Sequence, residues 1–165
     1  MLSNIVFVLR TLFIIMEYYL LYLLDYDEKL RFENAVKQLD SLNMFYVKAF
    51  QAISTNSYLL TNDQISYLSS YTDSVPFGIN EMDPYFETHI RKVAKRLGDI
   101  FEFNKQGEYL YPSKSGMVAL VYTGTLNGKP VAIKVLRKNI RERMDDALNK
   151  IDFLGIILFQ MELLV

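Results

Sequence analysis

The sequence predicts an α+β fold: an all-helical first half, then a small antiparallel sheet, then one last helix. Three observations carry this. Apolar residues recur at helical spacing through the first hundred positions. Two β-rich runs then flank Asn127-Gly128, a strong hairpin signal because both turn residues must reach positive φ. From about Ile140 the chain turns helical again and stays apolar. At 165 residues there is enough chain for one ordinary domain with a core.

The first element is the most apolar. From Ile5 to Leu24, 17 of 20 residues are apolar, Arg10, Thr11 and Glu17 being the exceptions. About 20 residues suffice to cross a bilayer, but Arg10 and Glu17 each cost roughly 2.5–3.5 kcal/mol near its centre. Ser3, Arg10 and Glu17 repeat every seven residues, which places them on one helix face. Three readings stay open: an amphipathic helix docked on protein or lying at a membrane surface, a true span, and a signal peptide. Asp25, Asp27 and Glu28 follow it in place of a small-residue cleavage site.

Residues 27–55 read as one or two helices, with Leu30, Phe32, Ala35, Val36 and Leu39, then Met44, Phe45, Val47, Ala49, Phe50 and Ile53 at helical spacing. Thr61 with Gln64 three residues on forms a capping-box pattern. The "SVPFG" stretch at 74–78 breaks that helix. In "DPYFETHIRKVAKRLG", Asp83 is placed to cap, Pro84 suits the first turn and Gly98 ends the helix. Its expected buried stripe is Phe86, Ile90, Val93, Ala94 and Leu97, with His89 a partly exposed neighbour. "IFEFN" and "EYLYP" read as short strands, and residues 117–136 as a long hairpin.

Composition excludes several functions. The 12 Tyr and 11 Phe, with 51% apolar residues, rule out a disordered chain. A net charge of −1 gives no basis for binding nucleic acid. No cysteine is present, so there is no disulfide framework or thiolate chemistry. A lone histidine, His89, builds no metal site. The cysteine count is compatible with an intracellular, reducing compartment.

A two-residue hairpin loop fixes the register. Leu126 then faces Lys129, Thr123 faces Ala132, and Val121 faces Lys134. Val121, Thr123, Ala132 and Lys134 share one face, with a small floor, a β-branched wall and one cation. That face suits a flat ring with a phosphate tail beyond it. Leu120, Tyr122, Ile133 and Val135 form the opposite, core face. A solvent-facing strand lysine is the plainer reading of Lys134. Against it, Val131-Ala132-Ile133-Lys134 spells the kinase signature whose lysine pairs the ATP phosphates. Laid over the kinase glycine loop, residues 114–121 keep Gly116 only; Ala119 stands for the third glycine and Lys114 for the first.

These residues resemble the UbiB-type atypical kinases, aarF-domain proteins linked to coenzyme Q biosynthesis. The family's phosphate loop is alanine- and serine-rich, and "PSKSGMVALVYTGTLNGKPVAIKVLRKNI" is similar to it. The family also carries an upstream Lys-x-Gly-Gln helix before a Val-Pro stop. Here Lys48 and Gln51 match that motif, Phe50 stands at its glycine, and Val75-Pro76 follow. The resemblance runs from about residue 28 to about 155. It implies a protein-kinase-like N-lobe preceded by a helical extension, with segments at 1–25, 26–98 and 99–165. It implies a site for ATP or ADP at Ser115, Gly116, Ala119, Val121, Ala132 and Lys134, with Lys48 and Gln51 on the substrate side. In the family the extension restricts protein phosphorylation and favours ATP hydrolysis tied to lipid or small-molecule substrates.

Phosphoryl transfer also needs metal-binding carboxylates and a catalytic-loop Asp. After Lys134, 31 residues remain, without His-Arg-Asp or Asp-Phe-Gly. Residues 152–155, "DFLG", carry an inserted leucine within an apolar helix. The expectation is therefore a kinase-like amino-terminal part with the C-lobe absent, no complete catalytic set, and magnesium bound only if that lobe is supplied, for instance by a separate chain. Acidic partners available to Lys134 are Glu142, Asp145, Asp146 and Asp152. Two other readings stay open: a non-catalytic membrane- or protein-interaction module, and a degenerate gene remnant.

Overall fold

The computed structural model describes residues 2–55, 58, 60–104 and 110–162. The chain divides into two compact units, residues 1–71 with 141–165, and residues 72–140. Among the described residues there are six α-helices and a four-stranded antiparallel sheet that follows five of them.

The helical unit holds α1 (Leu2–Leu23), α2 (Glu28–Leu42), α3 (Phe45–Ile53) and α6 (Ile140–Glu162), and α4 (Asn62–Asp73) begins in it. Helix α1 ends at Asp25, which takes the left-handed conformation at φ 54° while the Tyr26 amide bonds back to the Leu21 carbonyl. Asp27 then caps α2, its Oδ1 accepting from the Leu30 amide at 2.8 Å. The 27–55 stretch is two helices because Asn43 is extended between them; its side-chain oxygen accepts from the Phe45 amide at 2.9 Å. Thr61 and Gln64 close the expected capping box in both directions.

Only a narrow stripe of α1 is buried, centred on Phe7 and Ile14. The seven-residue repeat of polar groups does not define its outer face. Ser3 and Arg10 are exposed, but so are Leu9, Leu12, Phe13, Met16, Leu20 and Leu23. Glu17 turns toward α2 and accepts from Gln38 at 2.8 Å, and Thr11 meets the Tyr46 hydroxyl at 2.6 Å. Helix α1 is long and apolar enough to cross a membrane. The core of this unit is an aromatic chain: Phe7 against Tyr46, Tyr46 against Phe50, Phe50 edge-on to Tyr71, and Tyr71 edge-on to Tyr67. Lys150 of α6 lies over the Phe7 ring and pairs with Asp146, which also accepts from Asn43.

In the sheet unit, the Val75-Pro76 stop and a 3₁₀ turn, Ile79–Glu81, follow the end of α4. Helix α5 (Phe86–Arg96) starts later than the sequence suggests. The Asp83 carboxylate accepts from the Tyr85 amide at 2.9 Å, so it closes a local turn and does not cap α5. Gly98, at φ 76°, ends the helix as expected: its amide bonds to the Lys95 carbonyl and the Asp99 amide to the Ala94 carbonyl. The buried stripe of α5 is narrower than periodicity suggests. Phe86 and Ala94 are buried and Ile90 packs beside them, whereas Val93 and Leu97 are exposed. His89 is exposed.

Strand β3 (Ala119–Leu126) organises the sheet. Along its whole length it pairs with β4 (Lys129–Leu136). Its second half pairs with β1 (Phe101–Phe103) and its first half with β2 (Lys114–Ser115). Of the expected strand "EYLYP", residues 110–112 are irregular, and Glu108 and Tyr109 lie outside the described residues. Pairing with β3 instead selects Lys114 and Ser115. Gly124 is required where β1 crosses. A Cβ there would stand 2.4 Å from the Glu102 carbonyl oxygen and 2.8 Å from the Phe101 ring. The core face joins Phe86, Phe101, Phe103, Leu120 and Tyr122, with Ile133 and Val135 packed against them. Phe86 and Tyr122 rings lie 4.2 Å apart, and Phe86 meets Phe103 edge-on at 5.3 Å. Burying a side chain such as Leu120 contributes about 1.5–3 kcal/mol.

Candidate functional site

The hairpin register is the one the Asn-Gly turn demands. Asn127 and Gly128 sit at φ 50° and 77°, and Leu126, Thr123 and Val121 face Lys129, Ala132 and Lys134. Directly opposed residues share a face, so Ala119, Val121, Thr123, Ala132, Lys134 and Leu136 line one side of the sheet. Ala119 is buried, Val121 and Thr123 are half-buried, and Ala132 and Lys134 are exposed. The lysine therefore stands on the outer face, and the core face carries the aromatic cluster.

A second cation stands in the same row. Lys114 pairs with Val121 from β2 as Lys134 does from β4, so the two lysines flank Val121 on one face. With strands about 4.8 Å apart, their Cα atoms are separated by roughly 10 Å. The sequence showed Lys114 only as a departure from the glycine pattern. Its place opposite Val121 depends on the short strand β2, which the "EYLYP" reading put elsewhere.

The loop joining β2 to β3 is a two-residue turn, Met117-Val118, closed by the Gly116 amide donating to the Ala119 carbonyl at 2.9 Å. A Cβ on Gly116 would meet that carbonyl oxygen at 3.5 Å, an ordinary contact. The fold therefore tolerates alanine there. The loop is anchored on both sides. Ser115 is buried; its hydroxyl donates to the Val75 carbonyl at 2.7 Å, and the Val75 amide donates back to the Ser115 carbonyl at 2.9 Å. On the far side the Arg137 amide donates to the Val118 carbonyl at 2.9 Å. Ser115 thus holds the loop in place and directs its hydroxyl inward.

In the helical unit, Lys48 and Gln51 share a face of α3, as their spacing requires. The Lys48 ammonium is exposed and donates to the Gln51 carboxamide oxygen at 3.1 Å, while the Gln51 Nε2 donates to the Tyr71 carbonyl at 2.8 Å. The pair links α3 to the end of α4. Phe50, at the family's glycine position, is buried edge-on against Tyr71. Burial, and next the Asp40 charge, push the Tyr71 phenol well above its ordinary value of 10.0. Asp152 and Gly155 lie inside α6, so "DFLG" is helical sequence. Asp146, one of the acidic candidates, is already engaged by Asn43 and Lys150.

The helical unit also carries a cleft of about 580 Å³ between α2 and α4, lined by Asp27, Glu28, Glu33 and Asp63 with Lys29. Its carboxylates would repel a polyphosphate, which sets it apart from the lysine-bearing sheet face.

Comparison with known proteins agrees with the family resemblance. The chain is 31% identical over 109 residues to the probable protein kinase UbiB of Shewanella baltica strain OS155, and equally to those of strains OS185 and OS195. The match covers 64% of this chain and 19% of each relative, so the chain spans about a fifth of the length of the curated relatives it matches. No family model matches the chain, and no solved structure matches it. The expected family resemblance is thus matched by a partial sequence similarity to UbiB proteins.

Proposed function

We propose that this chain carries the nucleotide-binding part of a UbiB-like atypical kinase or ATPase, with the sheet as a protein-kinase-like small lobe. The observation that carries the reading is the placement of Lys134. It stands exposed on the outer sheet face, opposite Val121, beside the two-residue loop at Gly116. An adenine ring rests on the apolar face made by Val121 and Ala132, and Lys134 binds the α- and β-phosphates as a point charge. Ala119 and Gly116 let the loop backbone approach the phosphates. Ser115 fixes the loop. Lys48 and Gln51 belong to the substrate side in the family pattern. ATP or ADP is the ligand, and magnesium joins it where metal-binding carboxylates are supplied.

Titration of the 165-residue chain with a fluorescent ADP analogue tests this. Lys134→Met should weaken binding at least tenfold and leave the melting temperature within about 1 °C, because an exposed side chain contributes little to stability. Equal binding by Lys134→Met and the parent chain would sink the proposal.

A second reading is favoured by one observation, the exposed apolar surface of α1 from Leu2 to Leu23. On this reading α1 attaches the chain to a bilayer or a protein partner. Flotation with phosphatidylcholine vesicles tests the membrane case; a chain that stays monomeric and at the bottom of the gradient without detergent counts against both.

A further inference from the structure

The deepest charge in the sheet unit is Arg137, three residues past Lys134 and 2% exposed. A buried guanidinium must be paired, or its desolvation goes uncompensated. Arg137 is paired by a segment sixty residues away. Its Nη1 donates to Glu81 at 2.8 Å and to the Pro76 carbonyl at 3.0 Å, and its Nη2 donates to the Val75 carbonyl at 3.1 Å. The Lys138 amide adds a bond to the Glu81 carbonyl at 2.8 Å, and the Phe77 ring lies 5.9 Å from the guanidinium carbon.

The same two elements hold the loop between β2 and β3. The Val75 carbonyl that receives Arg137 also receives the Ser115 hydroxyl, at the loop's first end. The Arg137 amide donates to the Val118 carbonyl, at its second end. Arg137 is therefore tied to both ends of the turn that precedes Val121, to the first by its guanidinium through Val75 and to the second by its own backbone amide. We propose that Arg137 is a positioning residue of the nucleotide site: through Val75-Pro76 and Glu81 it sets where the Gly116–Ala119 loop lies relative to Lys134. This rests on the nucleotide reading given above. Arg137 is buried with its guanidinium engaged by Val75, Pro76 and Glu81, so it acts through the loop. Lysine cannot replace it, because a single ammonium lacks the planar fork that reaches two carbonyls and a carboxylate together.

The test measures ADP-analogue affinity and amide hydrogen exchange in the parent chain and in Arg137→Lys, Glu81→Gln, Lys134→Met and Ile90→Ala. All are measured well below their melting temperatures. Ile90→Ala is the control for lost stability, since Ile90 packs on the opposite, core face of the sheet. The expected result is that Arg137→Lys weakens affinity about tenfold, the weight of one or two bonds to a charged group. Glu81→Gln, which keeps an acceptor, weakens it less. Arg137→Lys also speeds exchange at Gly116 and Ser113 while the β3–β4 amides stay protected. Ile90→Ala lowers the melting temperature and leaves affinity unchanged. Parent-like affinity in Arg137→Lys, or an equal loss in Ile90→Ala, overturns the proposal. If the parent chain and Lys134→Met bind alike, the nucleotide reading fails, and the exchange data then decide alone. Loop amides that do not speed up in Arg137→Lys show that Arg137 does not position the loop.

Discussion

Asn127 and Ile100 exchange hydrogen bonds. The Asn127 amide donates to the Ile100 carbonyl at 2.8 Å, and the Ile100 amide donates to the Asn127 side-chain oxygen at 2.8 Å. The Asn127 Nδ2 also donates to Asp99 at 2.6 Å. One residue thus turns the β3–β4 hairpin and fastens the start of β1 to it. The two tasks separate by substitution. Asn127→Gly keeps the positive φ and removes the side-chain bonds. It should lower stability by about 1–2 kcal/mol in urea unfolding and loosen the Ile100 amide in hydrogen exchange, with the β3–β4 amides unchanged.

Lys114 and Lys134 flank Val121 in one row, and their electrostatic roles should differ in size. Lys114→Gln should weaken binding of the ADP analogue about two- to fivefold at low salt and less at 0.5 M salt, as expected of a partly screened charge. Equal affinities for Lys114→Gln and the parent chain at low salt would remove Lys114 from the site.

Gly116 and Gly124 should respond oppositely to alanine. At Gly116 the added carbon meets only the Ala119 carbonyl oxygen, at ordinary contact distance. Gly116→Ala should therefore melt within about 1 °C of the parent chain, so any loss of nucleotide affinity reports the close approach of a ligand. At Gly124 the added carbon collides with the Glu102 carbonyl and the Phe101 ring. Gly124→Ala should cost about 1–3 kcal/mol, by forcing β1 off the sheet or the Phe101 ring off its rotamer. Thermal unfolding of the two variants side by side checks both.

Stability should fall on the alkaline side. Burial raises the phenols of Tyr46, Tyr67, Tyr71 and Tyr122 above 10.0, assisted by the charges of Glu33 at Tyr67, Asp40 at Tyr71 and Asp83 at Tyr122. A group whose folded pKa is raised adds stability that is complete below its unfolded value and is lost as pH climbs past it. Denaturant unfolding should thus show constant stability from these groups up to about pH 9 and a decline above pH 10. Tyr71→Phe should flatten that decline. A decline of parent steepness in the variant would show that Tyr71 does not contribute.

The sequence was most legible where a single local rule admits one solution. Asn127-Gly128 leaves one turn geometry, and the whole β3–β4 register follows from it. Thr61 and Gln64 are likewise self-contained. Reading was poorer where local and distant partners compete. Asp83 has the composition of a cap, but the Tyr85 amide claims its carboxylate before α5 begins. Val93 and Leu97 keep the helical period of α5 and still face outward, because the sheet is too small to cover them. The least legible buried residue of the sheet unit was Arg137. Between a strand and a helix an arginine reads as solvated; its burial depends on carbonyls of Val75 and Pro76, some sixty positions earlier. Lys114 was missed for a related reason, since a two-residue strand has no periodicity.

The central place of β3 has a kinetic consequence. Every other strand of the described sheet pairs with it; β2 and β4 both reach it through two-residue turns, but only β4 pairs along its whole length, through Asn127-Gly128. Closing that turn takes about 1–10 μs in isolated hairpins, whereas β1 and the Val75 segment must be recruited across longer loops. The hairpin is thus the template on which the remaining edges assemble. Conservative truncations such as Val131→Ala should slow folding, with φ-values above 0.5. Truncations at Phe101 or Val75 should mainly speed unfolding. The Lys134 face is therefore built early, and the Val75 segment that anchors the Gly116–Ala119 loop is fastened late.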